Sequence, residues 1–127
     1  MCGISGYAAL NCQQLPHTIP SSIHDAHFHL RFRGPNAQNS CQLENVMFGH
    51  SRLAIIDLEG GKQPMLDTEA GFMLSYNGEL YNYRELRLEL IAKGHQFHSE
   101  SDTEVLLKAW IEWGEEAVHK FNGFFAF

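Results

Sequence analysis

An α+β fold is what these 127 residues predict, and three observations carry the expectation. Small and apolar runs of strand length recur through the first half of the chain. Two segments with helical spacing and recognisable ends dominate the second half. The length, with 44% apolar and 19% charged residues, suits one core and is too short for two.

The elements follow in order. Residues 4–10 have the composition of a buried strand that carries Cys2 at its leading end. Residues 11–20 read as a loop. Ser21 or Ser22 then caps a short helix through about Phe32, with Ile23, Ala26, His27 and Leu30 at helical spacing and Gly34-Pro35-Asn36 as its end. Residues 46–50 and 53–57 read as two strands separated by the polar pair Ser51-Arg52, with a turn-rich stretch over 59–64. Residues 72–76 form another strand, stopped by a turn at Asn77-Gly78, since both residues accept positive φ. Asn82 caps a helix with an apolar stripe of Leu86, Leu90 and Ile91 and a stop at Gly94. Ser101-Asp102-Thr103-Glu104 is a capping box that opens a second helix, burying Val105, Leu106, Ala109 and Trp110 and ending at Gly114. A helical turn over 115–120 leads into the phenylalanine-rich strand 121–127. So apolar a strand needs cover, either from the preceding elements or from a longer polypeptide of which this is the front part.

Composition removes several function classes. No apolar stretch is long enough to span a membrane, and the N-terminus lacks a secretory layout, so neither a membrane nor export is expected. Cys2, Cys12 and Cys41 form an odd set without CxxC spacing, which argues for a reducing compartment, by default the cytoplasm. A formal charge of −6 opposes nucleic acid, so a small molecule or a protein is the expected partner.

The chemistry begins at Cys2. Removal of Met1 would place a thiol and a free α-amine on one residue, a nucleophile with its own base. The thiol titrates near ~8.5 and the amine near ~7.7–8.0, so close to neutrality the amine can take the thiol's proton. Behind Met1-Cys2-Gly3-Ile4 come, in order, Arg31-Phe32-Arg33-Gly34-Pro35-Asn36, the His50-Ser51-Arg52-Leu53-Ala54-Ile55-Ile56-Asp57 block, Gln63-Pro64, Tyr76-Asn77-Gly78-Glu79-Leu80-Tyr81-Asn82, Ser101-Asp102-Thr103-Glu104-Val105 and the 121–127 strand. With these blocks the whole chain resembles the N-terminal glutaminase domain of class II glutamine amidotransferases, in particular the asparagine synthase branch.

That resemblance implies an αββα four-layer sandwich of the N-terminal nucleophile hydrolase type, incomplete at its C-terminal end, and cleavage of the glutamine side-chain amide. It implies Cys2 as nucleophile and the Asn77 amide with the Gly78 backbone N–H as oxyanion donors. It implies Arg52 on the substrate α-carboxylate, Asp102 and Glu79 on its α-ammonium, and the backbone of Leu53, Ala54, Ile55 and Ile56 along the same pocket. Taken alone, Asn77-Gly78 would read as a hairpin turn, Arg52 as a surface ion-pair partner and Asp102 as a charge favourable to a helix dipole. The implied partner is L-glutamine, and no metal or cofactor is called for in its hydrolysis. ATP and Mg²⁺ would belong to a synthetase domain elsewhere, because no nucleotide-binding Ser-Gly-Gly-x-Asp-Ser loop is found here. The resemblance leaves a homo-oligomer and the acceptor of the ammonia open.

Two departures and two rival readings complete the picture. The family's Arg-His-Arg-Gly-Pro-Asp stands here as Arg31-Phe32-Arg33-Gly34-Pro35-Asn36, which puts the ordering of the glutamine loop in question. The family's further strands and its synthetase domain are not in this sequence. Asp25-Ala26-His27-Phe28-His29 resembles the first metal-binding strand of amidohydrolase barrels, since imidazoles two apart on a strand face one ion. The barrel itself needs ~250 residues. An incomplete, inactive amidotransferase-like module with a binding role is the non-enzymatic alternative.

Overall fold

The computed structural model describes residues 1–10, 14–55, 57 and 60–127. Expectations resting on Cys12, on the start of the 11–20 loop, on Ile56 and on Glu59 lie outside the described residues. The chain runs β1 (Gly3–Ala8), α1 (Ile19–Leu30), β2 (Ala37–Leu43), β3 (Val46–Arg52), β4 (Met65–Asp67), β5 (Phe72–Leu74), β6 (Asn77–Leu80), α2 (Tyr83–Ala92), α3 (Asp102–Trp113), a 3₁₀ segment (Gly114–Lys120) and β7 (Gly123–Ala126). Mixed helix and antiparallel sheet is the α+β class expected.

Among the described residues the strands form three antiparallel sheets, ordered β1-β3-β2, β4-β5 and β6-β7. In the first, β3 is central, with Ser51 opposite Gly3 and Gln38, and Arg52 opposite Ala37. The strand therefore continues through Ser51-Arg52, where a break was expected. A central strand must pair its backbone on both sides, and that requirement outweighs the polarity of two side chains. Residues 53–55 are irregular rather than strand, and Asp57 takes a left-handed φ of 46°. The polar strand β2 (AQNSCQL) had no apolar signal to betray it, because as an edge strand it leaves most of its side chains in water. A two-residue turn, Glu44-Asn45, joins it to β3, with Glu44 at φ 51°.

Helix α1 begins at Ile19 rather than after Ser21 or Ser22, with Thr18 before it and Pro20 in its first turn, where a missing N–H costs nothing. It lies on the sheet through Ile19, Ile23 and Met47. Side chains alternate along β3, so Gly49 faces Ile23 and His27 of α1, while His50 faces the other way toward Ser75.

The second half forms a helical layer. Leu86 and Leu90 of α2 pack on Val105 and Ala109 of α3 and on Ala117 of the 3₁₀ segment. Ile91, expected on the buried face, is 49% exposed. Gly94, at φ 100°, ends α2 as expected, and the His95 N–H returns to the Leu90 carbonyl. Asn82 is the N-cap residue of α2 as expected, but its side chain makes no capping bond. Its Nδ2 donates to the Lys120 carbonyl and its Oδ1 accepts from the Asn122 N–H, so it stitches α2 to the approach of β7. Ser101 does cap α3, its Oγ accepting from the Glu104 N–H at 3.3 Å. The Glu104 carboxylate turns to the N–H groups of His98 and Ser99 instead of closing the box. A second cluster, Leu74, Tyr76, Leu80, Leu106 and Leu107, joins the β5 and β6 region to α3, with Phe121 and Phe125 against it.

Asn77-Gly78 is not a turn. It opens β6, opposite Ala126 and Phe125, and neither residue has positive φ. Glycine is needed at 78 for a different reason: a Cβ there would stand 2.2 Å from the Phe124 carbonyl oxygen.

Candidate active site

Four element ends meet at one place: the entry to β1, the exit of β3, the start of β6 and the first turn of α3. Cys2 lies at the first, its Sγ accepting from the Leu53 N–H at 3.3 Å and 3.6 Å from the Leu53 carbonyl oxygen. The Cys2 carbonyl in turn accepts from Arg33 Nε at 3.1 Å. Cys2 and Cys41 are free thiols.

The block after α1 is laced to the exit of β3. Gly34 lies so close to it that a Cβ would fall 2.0 Å from the Ser51 carbonyl oxygen. The Asn36 N–H donates to the Arg52 carbonyl at 3.0 Å, and Asn36 Oδ1 accepts from the Ala54 N–H at 3.1 Å. An asparagine oxygen thus anchors the loop after β3. That task requires an acceptor and not a charge, so asparagine in place of aspartate does not unfasten it.

Arg52 is 6% exposed, which excludes the surface ion pair, and its Nη2 donates to the Asp57 carbonyl at 2.6 Å. The Asp57 carboxylate accepts from the Gly60 N–H and the Glu100 N–H, each at 2.8 Å, tying the loop after β3 to the segment before α3. Nothing in the sequence singled Asp57 out for this.

Asp102 is the first residue of α3 and 6% exposed. Its Oδ2 accepts from the Tyr76 hydroxyl at 3.0 Å and the Leu80 N–H at 3.2 Å. Burial, then the Asp102 carboxylate beside it, push the Tyr76 phenol far above its ordinary range, so it stays protonated as a donor. Gln63 bridges the same region: its Oε1 accepts from the Tyr76 N–H at 2.6 Å and its Nε2 donates to Thr103 Oγ1 at 3.3 Å.

These groups surround one cleft of about 90 Å³. Cys2, Arg52, Leu53, Ile55, Asn77, Gly78, Glu79 and Asp102 all line it, with Gln63, Tyr76, Thr103 and Phe124. A guanidinium, a thiol and two carboxylates around one small cleft can sort the two ends of a zwitterion beside a nucleophile. Asp25, His27 and His29, by contrast, lie on α1. Residues two apart on a helix do not face one ion, and His27 is buried while His29 is exposed, which removes the barrel-strand reading.

The family model described as a glutamine amidotransferase domain matches residues 1–127. The chain belongs to this family. The amidotransferase domain is 47% identical over its whole length to asparagine synthetase [glutamine-hydrolyzing] 3 of Bacillus subtilis (strain 168), of which it covers 21%. It is 48% identical over 75% of its length to asparagine synthetase [glutamine-hydrolyzing] 1 of the same organism, covering 15% of that protein. Over its whole length it is 39% identical to asparagine synthetase [glutamine-hydrolyzing] 3 of Arabidopsis thaliana, again covering 21%. It therefore spans about a fifth of the length of the curated relatives it matches.

Within the amidotransferase domain, Ala54 does not border the cleft; its backbone serves Asn36 instead. Ile56 lies outside the described residues. Gln63, Tyr76 and Thr103 were missed as site residues although the motif blocks contain them, because only their long-range partners give them a task. Met1 also borders the cleft, and while it is attached the Cys2 nitrogen is a peptide amide rather than an amine.

Proposed function

We propose that this domain hydrolyses the side-chain amide of L-glutamine to glutamate and ammonia. The observation that carries the proposal is that Cys2, Asn77 and Gly78 line the same cleft as Arg52, Asp102 and Glu79. Once Met1 is removed, the Cys2 α-amine takes the thiol proton and the sulfur attacks the amide carbon. The oxyanion is held by the Asn77 amide and the Gly78 N–H, donors of a kind worth ~3–4 kcal/mol each in a dry site. As the C–N bond breaks, the ammonium returns its proton to the departing nitrogen, leaving a thioester and ammonia. Water, deprotonated by the same amine, attacks the thioester and releases glutamate. Arg52 binds the α-carboxylate, Asp102 and Glu79 the α-ammonium, and Leu53 and Ile55 flank the chain.

The identities to glutamine-hydrolysing asparagine synthetases support asparagine formation as the use of the ammonia, in a synthetase domain that would supply ATP and Mg²⁺ chemistry. Antiparallel sheets with helices against them support the αββα sandwich of N-terminal nucleophile hydrolases, with residues 1–127 as the N-terminal part of that domain. The odd cysteine count without CxxC spacing supports a cytoplasmic enzyme; no helix among the described residues is long and apolar enough to cross a membrane. The test is intact mass before and after an electrophilic glutamine analogue. A mass lacking methionine and one adduct on Cys2, with ammonia released from glutamine, is expected; a retained methionine and no adduct would return the chain to an inactive binding module.

A further inference from the structure

Asp102 is held asymmetrically. Both hydrogen bonds it accepts fall on Oδ2, from the Tyr76 hydroxyl and the Leu80 N–H, and among the described residues Oδ1 has no hydrogen-bond partner. Asp102 borders the cleft, and its side chain holds no orphaned buried atom, so Oδ1 remains accessible. Tyr76 is itself over-determined. It is 2% exposed, its ring packs with Leu74, Leu80 and Leu106, and its backbone N–H is taken by Gln63, which reaches on to Thr103 beside Asp102. A phenylalanine would fill the same space. The hydroxyl is therefore surplus to packing, and a buried hydroxyl is costly unless its bond does something.

We infer that Tyr76 is a positioning residue that locks the Asp102 carboxylate with one oxygen aimed at the substrate's α-ammonium, making the cleft selective for amides that carry a free α-amine. Two donors on one oxygen stop rotation of the carboxylate about its terminal bond, so Oδ1 is oriented before ligand arrives and no ordering is left to be done on binding. With Phe at 76, Oδ2 keeps only the Leu80 N–H and the carboxylate regains that rotation. The inference rests on the reading of the cleft as a glutamine site.

The test uses two ligands, L-glutamine and glutaramate, the same amide without the α-amine, bound to the protein with Cys2→Ala to prevent turnover. Wild-type at position 76 is expected to prefer glutamine. Tyr76→Phe is expected to weaken glutamine about tenfold while leaving glutaramate unchanged, a loss on the scale of one charge-assisted hydrogen bond. In an Asp102→Asn background the same Phe substitution should have little further effect, because the tyrosine acts through that carboxylate. Equal losses for both ligands, the mark of a structural role, would overturn the inference, as would an unchanged preference. If the unsubstituted cleft shows no preference for glutamine, the glutamine-site reading itself fails; if it does and the Phe variant keeps it, only the role of Tyr76 fails.

Discussion

The proposed site gives Arg52 two duties that a lysine would separate. Arg52 lines the cleft, and its Nη2 reaches the Asp57 carbonyl, so on the proposed reading the planar fork both binds the substrate carboxylate and fastens the loop. Arg52→Lys keeps the charge and loses the fork. We expect the apparent affinity for glutamine to fall about tenfold in Michaelis measurements, the scale of one bidentate charged contact; unchanged affinity would remove Arg52 from the carboxylate site. At Asn36 the requirement is an acceptor for the Ala54 N–H. Asn36→Asp should therefore leave glutamine hydrolysis near wild-type, whereas Asn36→Ala should raise KM by releasing the loop that carries Leu53 and Ile55. Parallel raised KM values for both variants would show that the amide donor matters instead.

At the scale of elements, the strand pair β6-β7 sets how tightly the cleft wall can be built. A methyl at position 78 would stand 2.2 Å from the Phe124 carbonyl oxygen and 2.6 Å from the Phe125 Cα, both backbone, and backbone does not step aside cheaply. Gly78→Ala should cost ~1–3 kcal/mol in denaturant unfolding and abolish glutamine hydrolysis as β6 shifts away from Cys2. Full activity in that variant would mean the pair is looser than this geometry. The cap of α3 offers a separable case. Ser101→Ala removes the acceptor for the Glu104 N–H and should cost ~1 kcal/mol. Because Asp102 follows it directly, KM for glutamine should rise along with the loss in stability; a change in stability alone would mean that α3 keeps its register without the cap.

The molecule as a whole carries an acid sensitivity in its buried histidines. His50 is fully buried, its Nδ1 is 3.1 Å from Ser75 Oγ, and burial, then Arg52, then His27 lower its pKa from 6.5 to about 4. His27 is lowered in the same direction, first by burial and then by His24. Both are neutral when folded at pH values where the unfolded chain has begun to bind protons. Stability is therefore whole above pH ~6.5 and falls as the pH drops from there toward 4. Asp67, whose carboxyl is held below its usual range by Lys108, contributes above that range and loses its share only at still lower pH. Thermal unfolding at pH 7 and pH 5 should show the wild-type losing more than His50→Gln; equal losses would move the acid sensitivity elsewhere.

Contiguous residues determined a good deal by themselves. The cysteine at the second position, the order of the motif blocks, the glycine stops at Gly94 and Gly114 and the Ser101 cap are local chemistry, readable because backbone φ, caps and spacing act within a few residues. The failures have one source. Ser51-Arg52 looked like a break, Asn77-Gly78 like a turn and Asn82 like a side-chain cap because each was judged by its neighbours in sequence, whereas β1 and β2, β7 and Asn122 decide their conformations. Tertiary structure alone set Cys2 against Leu53, 51 residues away, and Tyr76 against Asp102, 26 residues away. Sequence supplied the chemical groups of the cleft, and only long-range strand pairing and helix packing gave them their distances, since local propensity carries no information about which buried oxygen a remote hydroxyl will reach.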